Sequence, residues 1–357
     1  MKDNPTKSQR QSNLELLRIL SMMLVMLVHY LPLRSPTTAT MLIDQPYKAL
    51  MNLELRSIAI ICVHCFILIS GFFGIRWKVK SFLGLMFQLL FWAIIGFFIA
   101  KFFIVPFLPS FLPSFLPNSS PYTFSRFLSV IYSSAQTRWF VSAYIFLYFL
   151  SPLINSFVQH SSDRDLLKYI LIFYAFSTIY GYFLHSQEFN TGLSAVSLVG
   201  LYLVGAWLRK SKLYIVHWSK WNDLIGFIIC TLVLTGVSAL LIKIGVRSSI
   251  YGYLNPITII EAAFLFQFFR KLNVGSLSLV NFFAGSAFAA FLIHCNEFAG
   301  PAYSKICQSL HQYDYALVYV LVFILMVFIF SVLIDKIRIM LWNALLYLSN
   351  LSRKCLR

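Results

Sequence analysis

The chain has 357 residues, of which 59% are hydrophobic and only 11% charged, and its net charge is +17. A soluble domain carries about 25% charged residues, so this composition excludes a water-soluble globular protein and indicates an integral membrane protein. The basic excess then reads as short loops facing anionic lipid rather than as a nucleic-acid surface, and no nucleic-acid partner is expected. In chain order, ten apolar stretches approach the roughly 20 residues that a helix needs to cross a bilayer. They lie at 14–33, 55–75, 81–105, 139–157, 167–184, 193–208, 223–243, 253–269, 279–297 and 315–335. The expected fold is therefore an all-α polytopic bundle of about ten transmembrane helices, forming a single transmembrane domain over residues 1–357 with no appended soluble domain.

Charge orients the bundle. With the N-terminus in the cytoplasm, about two-thirds of the 29 Lys and Arg residues fall on the cytoplasmic side, as positive-inside sorting requires. An even number of crossings then places both termini in the cytoplasm. The first stretch is long enough to span and lacks a small-residue cleavage site, so it is expected to stay as a helix. The outer segment "FLPSFLPSFLPNSSP" repeats proline too closely for a helix. It reads as an extended connector at the outer interface, with a lid as the alternative. The tail "DKIRIMLWNALLYLSNLSRKCLR" either extends the last helix or lies along the inner interface. The six cysteines sit mostly in apolar runs and do not form a secreted disulfide framework. Cys62, His64 and Cys65 have zinc-like spacing, but no second pair matches them, so no metal is expected.

The first stretch, "LELLRILSMMLVMLVHY", holds three ionisable residues in a segment that lipid solvates poorly. Glu15 precedes Arg18 by three positions and can pair with it on one helix face. His29 follows Arg18 by eleven positions, which at about 100° and 1.5 Å per residue is nearly the same face, roughly 16 Å further along. Such residues either snorkel to headgroups and hydrogen-bond within the bundle, or line a path for a polar substrate.

This stretch resembles the first helix of the membrane acyltransferase-3 family, in which an acidic residue, an arginine and a histidine occupy the places of Glu15, Arg18 and His29. "FILISGFFGIR", "RWFVSAYIFLYFLSPLIN", "GLSAVSLVGLYLVGAWLRK" and "SAFAAFLIHCNE" resemble further family segments in the expected order. The resemblance implies transfer of an acyl group, commonly acetyl from cytoplasmic acetyl-CoA, to a hydroxyl of an extracytoplasmic polysaccharide or lipid-linked sugar. It implies a multi-pass protein of the bacterial cytoplasmic (inner) membrane, with lipid and a carbohydrate acceptor as partners and acyl-CoA as donor substrate.

Such a transfer needs a base for the attacking hydroxyl. His29 suits that role, its ordinary pKa being near neutrality, and an acyl-imidazole is the alternative. Arg18 suits a phosphate or the pantetheine arm, oriented by Glu15. Arg76, just after "SGFFGI", is placed to meet nucleotide phosphates, although Lys78 and Lys80 beside it also serve as positive-inside anchors. Ser70 and Gly71 permit close helix approach. Trp139 is either an aromatic-belt residue or a platform for sugar or acyl group. His294 and Asn296 are expected to contact the acceptor or to support His29. The competing function is a transporter or flippase of a lipid-linked oligosaccharide, which would use the same buried charges as a substrate path.

Overall fold

The computed structural model describes residues 10–30, 37–104, 123–136, 139–184, 186, 189, 191–246, 250–297, 299–313 and 315–355. Every regular element among them is helical. In chain order these are α1 (Ser12–Val28), α2 (Ala39–Asp44), α3 (Pro46–Ile60), α4 (Cys62–Phe73), α5 (Val79–Ile99) and α6 (Phe124–Gln136). There follow α7 (Trp139–His160), α8 (Asp163–Thr178), α9 (Ala195–Lys210), α10 (Tyr214–His217), α11 (Lys220–Lys243) and α12 (Pro256–Arg270). The last four are α13 (Ser278–Ala284), α14 (Ala287–His294), α15 (Ala299–Leu310) and α16 (Ala316–Cys355). Single π-helical turns continue α5 over Ala100–Ile104 and α8 over Ile179–Phe183. The proline-rich segment and Arg138 lie outside the described residues.

Five helical stretches are long and apolar enough to cross a membrane: Pro46–Phe73, Val79–Phe102, Trp139–His160, Lys220–Lys243 and Ala316–Ser349. A bent pair, Ser278–His294 with Ala299–Leu310, makes a sixth if it is one broken span. The remaining predicted stretches are helical but short. Helices α1, α8, α9 and α12 have 17, 16, 16 and 15 residues. Polar caps start several of them before a full span accumulates. Ser162 accepts from the Asp165 N–H, Ser194 from Ser197, and Asn255 from Ile257 with Pro256 in the first turn. The tail extends the last helix, which runs for 40 residues.

The chain divides into two compact units. The first comprises Met1–Val28, Leu33–Arg76 and Ala143–Gly285. Its densest contact joins α4 to α9, where a Cβ on Gly71 would lie 2.1 Å from the Tyr202 carbonyl oxygen, so the backbones meet only because Gly71 has none. Helix α11 packs on α12, and α1 packs on α3, α4, α12 and α13. The outer stripe of α11, with Ile225, Ile228, Ile229 and Leu232 exposed at helical spacing, is a lipid-facing surface. Arg270 and Lys271, at the end of α12, are structural. Arg270 donates to the carbonyls of Leu208 and Val216, and Lys271 pairs with the wholly buried Asp223 at 2.6 Å.

The second unit comprises His29–Pro32, Trp77–Ser142 and Ser286–Arg357. In it α14 packs on α16 and α5, and α6 packs on α5. Ala287, Ala289 and Ala290 are buried and keep α14 slender at these contacts.

Candidate functional site

Helix α1 stops at Val28, so His29 lies in the turn just beyond it rather than on the helix. In the second unit His29 meets His294, the last residue of α14, with Nδ1 of the former 2.8 Å from Nε2 of the latter. The His294 Nδ1 lies 2.5 Å from the Ala290 carbonyl one turn earlier. That carbonyl can only accept, so Nδ1 of His294 carries the proton and, in the neutral ring, Nε2 has the lone pair. His29 then donates from Nδ1, which leaves its own Nε2 with the lone pair. One backbone carbonyl thus fixes two tautomers.

Cys295 follows in the turn after α14, its Sγ 3.3 Å from both His29 Nδ1 and His294 Nε2. The donor atoms of His29, His294 and Cys295 all lie within 4.8 Å of one another, and among the described residues this trio is the group able to hold a metal ion. Cys62 and Cys65 are buried free thiols, and the His64 between them donates from Nε2 to the Tyr253 carbonyl at 2.9 Å. The zinc-like spacing therefore serves a loop contact.

Aromatic rings enclose the pair. Phe291 lies 6.5 Å from His29 and 6.0 Å from His294, centre to centre, and Tyr303 lies 5.3 Å from His294. Trp139 reaches the same group through Phe140, which is 6.0 Å from it and 5.8 Å from Phe291. Asn296 is buried and donates to the Trp92 carbonyl at 3.2 Å. It fits because a Cβ on Gly96 would come within 2.3 Å of its amide nitrogen. Trp92 in turn donates from its indole nitrogen to Asp335 at 3.2 Å, and Asp335 pairs with Arg338 at 2.6 Å. Beside His29, the Tyr30 hydroxyl hydrogen-bonds His311.

In the first unit, Arg18 donates from one nitrogen to both Glu15 oxygens, at 2.8 and 3.0 Å. Arg18 is half-buried and Glu15 buried. The start of α1 is fixed by Ser12, which donates to Asn281 and accepts from the Leu277 N–H. The Tyr144 hydroxyl adjoins Ser70. Arg76 is exposed in the segment after α4. The preceding residue is held by a closed triangle: Ile75 donates to Tyr202, Tyr202 to Asn155, and Asn155 back to the Ile75 carbonyl.

Of the residues singled out in the sequence, His29, Trp139, His294 and Asn296 gather in the second unit, and Glu15 pairs with Arg18 in the first. Sequence reasoning missed Cys295, Trp92, Tyr30, His311 and the Asp335–Arg338 pair. The last has the same acid-to-arginine spacing of three as Glu15–Arg18, a signal visible in the sequence. It also missed Glu261, which is wholly buried and accepts from Thr231 at 2.6 Å.

Residues 11–336 match the acyltransferase-3 family, described as an acyltransferase domain. No curated protein and no solved structure matches the chain.

Proposed function

We propose, from the premise that the chain belongs to the acyltransferase-3 family of membrane acyltransferases, that it moves an acetyl group from cytoplasmic acetyl-CoA to a hydroxyl of an extracytoplasmic polysaccharide or lipid-linked sugar. The observation that carries this reading is the 2.8 Å contact of His29 Nδ1 with His294 Nε2, locked by the Ala290 carbonyl. The acceptor O–H gives its proton to His29 Nε2 as its oxygen bonds to the thioester carbonyl carbon. The carbon–sulfur bond breaks, and the coenzyme A thiolate leaves with the proton that His29 returns. His294 holds the His29 ring and its tautomer. Asn296 supports the turn that carries His294, and Trp139 offers an aromatic face to the sugar or acyl group. Glu15 orients Arg18 toward the pantetheine arm or a phosphate of the donor, and Arg76 meets the nucleotide phosphates. The protein then crosses a bacterial cytoplasmic membrane ten times with both termini in the cytoplasm. In support, each of the ten apolar stretches contains a helix and about two-thirds of the basic residues sort to the cytoplasmic side.

One observation favours a second route. The Cys295 thiol is within 3.3 Å of both imidazoles. It can attack the thioester, release coenzyme A thiol, and later yield the acyl group to the acceptor oxygen as its own thiolate leaves and is reprotonated.

The test is mass spectrometry of surface carbohydrate from cells with wild-type protein, His29→Ala, Cys295→Ser or no protein, at matched membrane levels. A discrete acyl mass present with wild type and lost in the first variant and the deletion supports the reading. Full acylation with well-expressed His29→Ala removes His29 as the base. Full acylation with Cys295→Ser leaves direct transfer, and its loss favours the relay. Loss of polymer export in the deletion, with acylation unchanged, would replace the enzyme with a transporter.

A further inference from the structure

The first unit holds a cavity of about 650 Å³ that the acyl-transfer chemistry does not use. Arg56 of α3, Ser238 of α11, Thr191, Tyr251 and Tyr253 line it. Its walls are built. The guanidinium carbon of Arg56 sits 4.6 Å from the centre of the Tyr251 ring. The Tyr251 hydroxyl donates to the Leu53 carbonyl at 3.3 Å. Tyr253 stacks on the buried His64, with 5.2 Å between ring centres and 4° between planes.

One of its polar groups is unspent. Arg56 is half-buried and makes no ion pair among the described residues, its contact being the face of Tyr251. A half-buried guanidinium with five donors and no carboxylate calls for an oxyanion. The cavity has the volume of a small-ligand site, and tyrosine faces suit the C–H surface of a sugar ring.

We infer that this cavity binds an oxyanion joined to a polyol, in the form of an acidic sugar such as a sugar carboxylate or sugar phosphate. The oxyanion lies on Arg56. The inference stands on the first unit alone and holds or fails independently of acyl transfer.

Saturation-transfer NMR and titration of the full chain in phosphatidylcholine nanodiscs, with glucuronate, glucose 1-phosphate and glucose as probes, test it. Both acidic probes should bind at least tenfold tighter than glucose. Arg56→Gln should abolish the preference, and Arg56→Lys should weaken it while keeping the charge, which covers the case where the glutamine variant fails to fold. Equal binding of glucose and glucuronate, or no binding of either acidic probe to folded wild type, overturns the inference. So does a Gln-sensitive site filled by phosphatidylglycerol in nanodiscs that neither acidic probe displaces, which would make the ligand a lipid headgroup.

Discussion

The His29–His294 cluster and the Arg56 cavity are both polar regions in a chain that is 59% hydrophobic, and they handle hydrogen-bonding capacity in opposite ways. In the cluster each nitrogen on the path from Ala290 to His29 Nδ1 has a partner. In the cavity the Ser238 hydroxyl and the Arg56 guanidinium lack such partners. A satisfied network fixes orientation and protonation, which is what proton transfer needs. An unsatisfied one keeps capacity for something that arrives. The contrast separates a place for chemistry from a place for binding, and it can be broken or sharpened by substitution.

The largest effect should come from His29. A positioned general base contributes about 10²–10⁴-fold, so His29→Ala should lower acyl transfer by about 10³-fold at unchanged membrane levels, measured with labelled donor in isolated membranes. A drop below tenfold would place the cluster with the cavity, as a binding region. Next comes the far end of the network. Arg338→Ala leaves the wholly buried Asp335 without its cation. Losing one partner of a buried pair costs about 3–5 kcal/mol, so the variant should show much reduced folded yield in detergent, read by size exclusion. The double change Asp335→Leu with Arg338→Met should recover most of that yield.

The two ends of this network differ in how far the sequence reveals them. Glu15–Arg18 and Asp335–Arg338 are local, three positions apart, and helical spacing alone brings each pair together. The second was missed because "DKIR" opens a charged tail in which nothing marks burial, although α16 does continue through it to Cys355. His29 and His294 are 265 positions apart. The sequence marks each as an ionisable residue in an apolar run, but only tertiary packing makes them partners. Helix periodicity likewise locates α1, α8, α9 and α12, yet their 15–17 residues sit below the usual spanning length. The cavity was illegible for a further reason. It is defined by what Ser238 and Arg56 do not touch, and no motif records a missing contact.

A smaller effect should follow at His294. It touches His29 rather than the reacting atoms, so it acts as a positioning residue. His294→Ala should reduce turnover by roughly 10–100-fold with little change in donor KM. It should also displace the pH–rate profile, because His29 loses the acceptor that fixes its tautomer. A glutamine at 294 restores an acceptor and should recover part of the rate. An unchanged profile with reduced turnover would mean that His294 only fills space.

The smallest effect has the sharpest sign. Ser57 and Ser238 stand near the same cavity wall, one on α3 and one on α11. The Ser57 hydroxyl donates to the Leu53 carbonyl at 3.0 Å and lies 3.1 Å from the Thr235 hydroxyl, whereas Ser238 has no partner. Removing a satisfied hydroxyl loses about 1 kcal/mol, and removing an orphaned one relieves a desolvation penalty of similar size. Ser57→Ala should therefore lower the melting temperature by roughly 2 °C and Ser238→Ala should raise it by about as much. Opposite signs, measured without added ligand, would confirm that the Ser238 hydroxyl is buried at a cost to stability. A fall in both would mean that Ser238 is satisfied, and the distinction between the two regions would close.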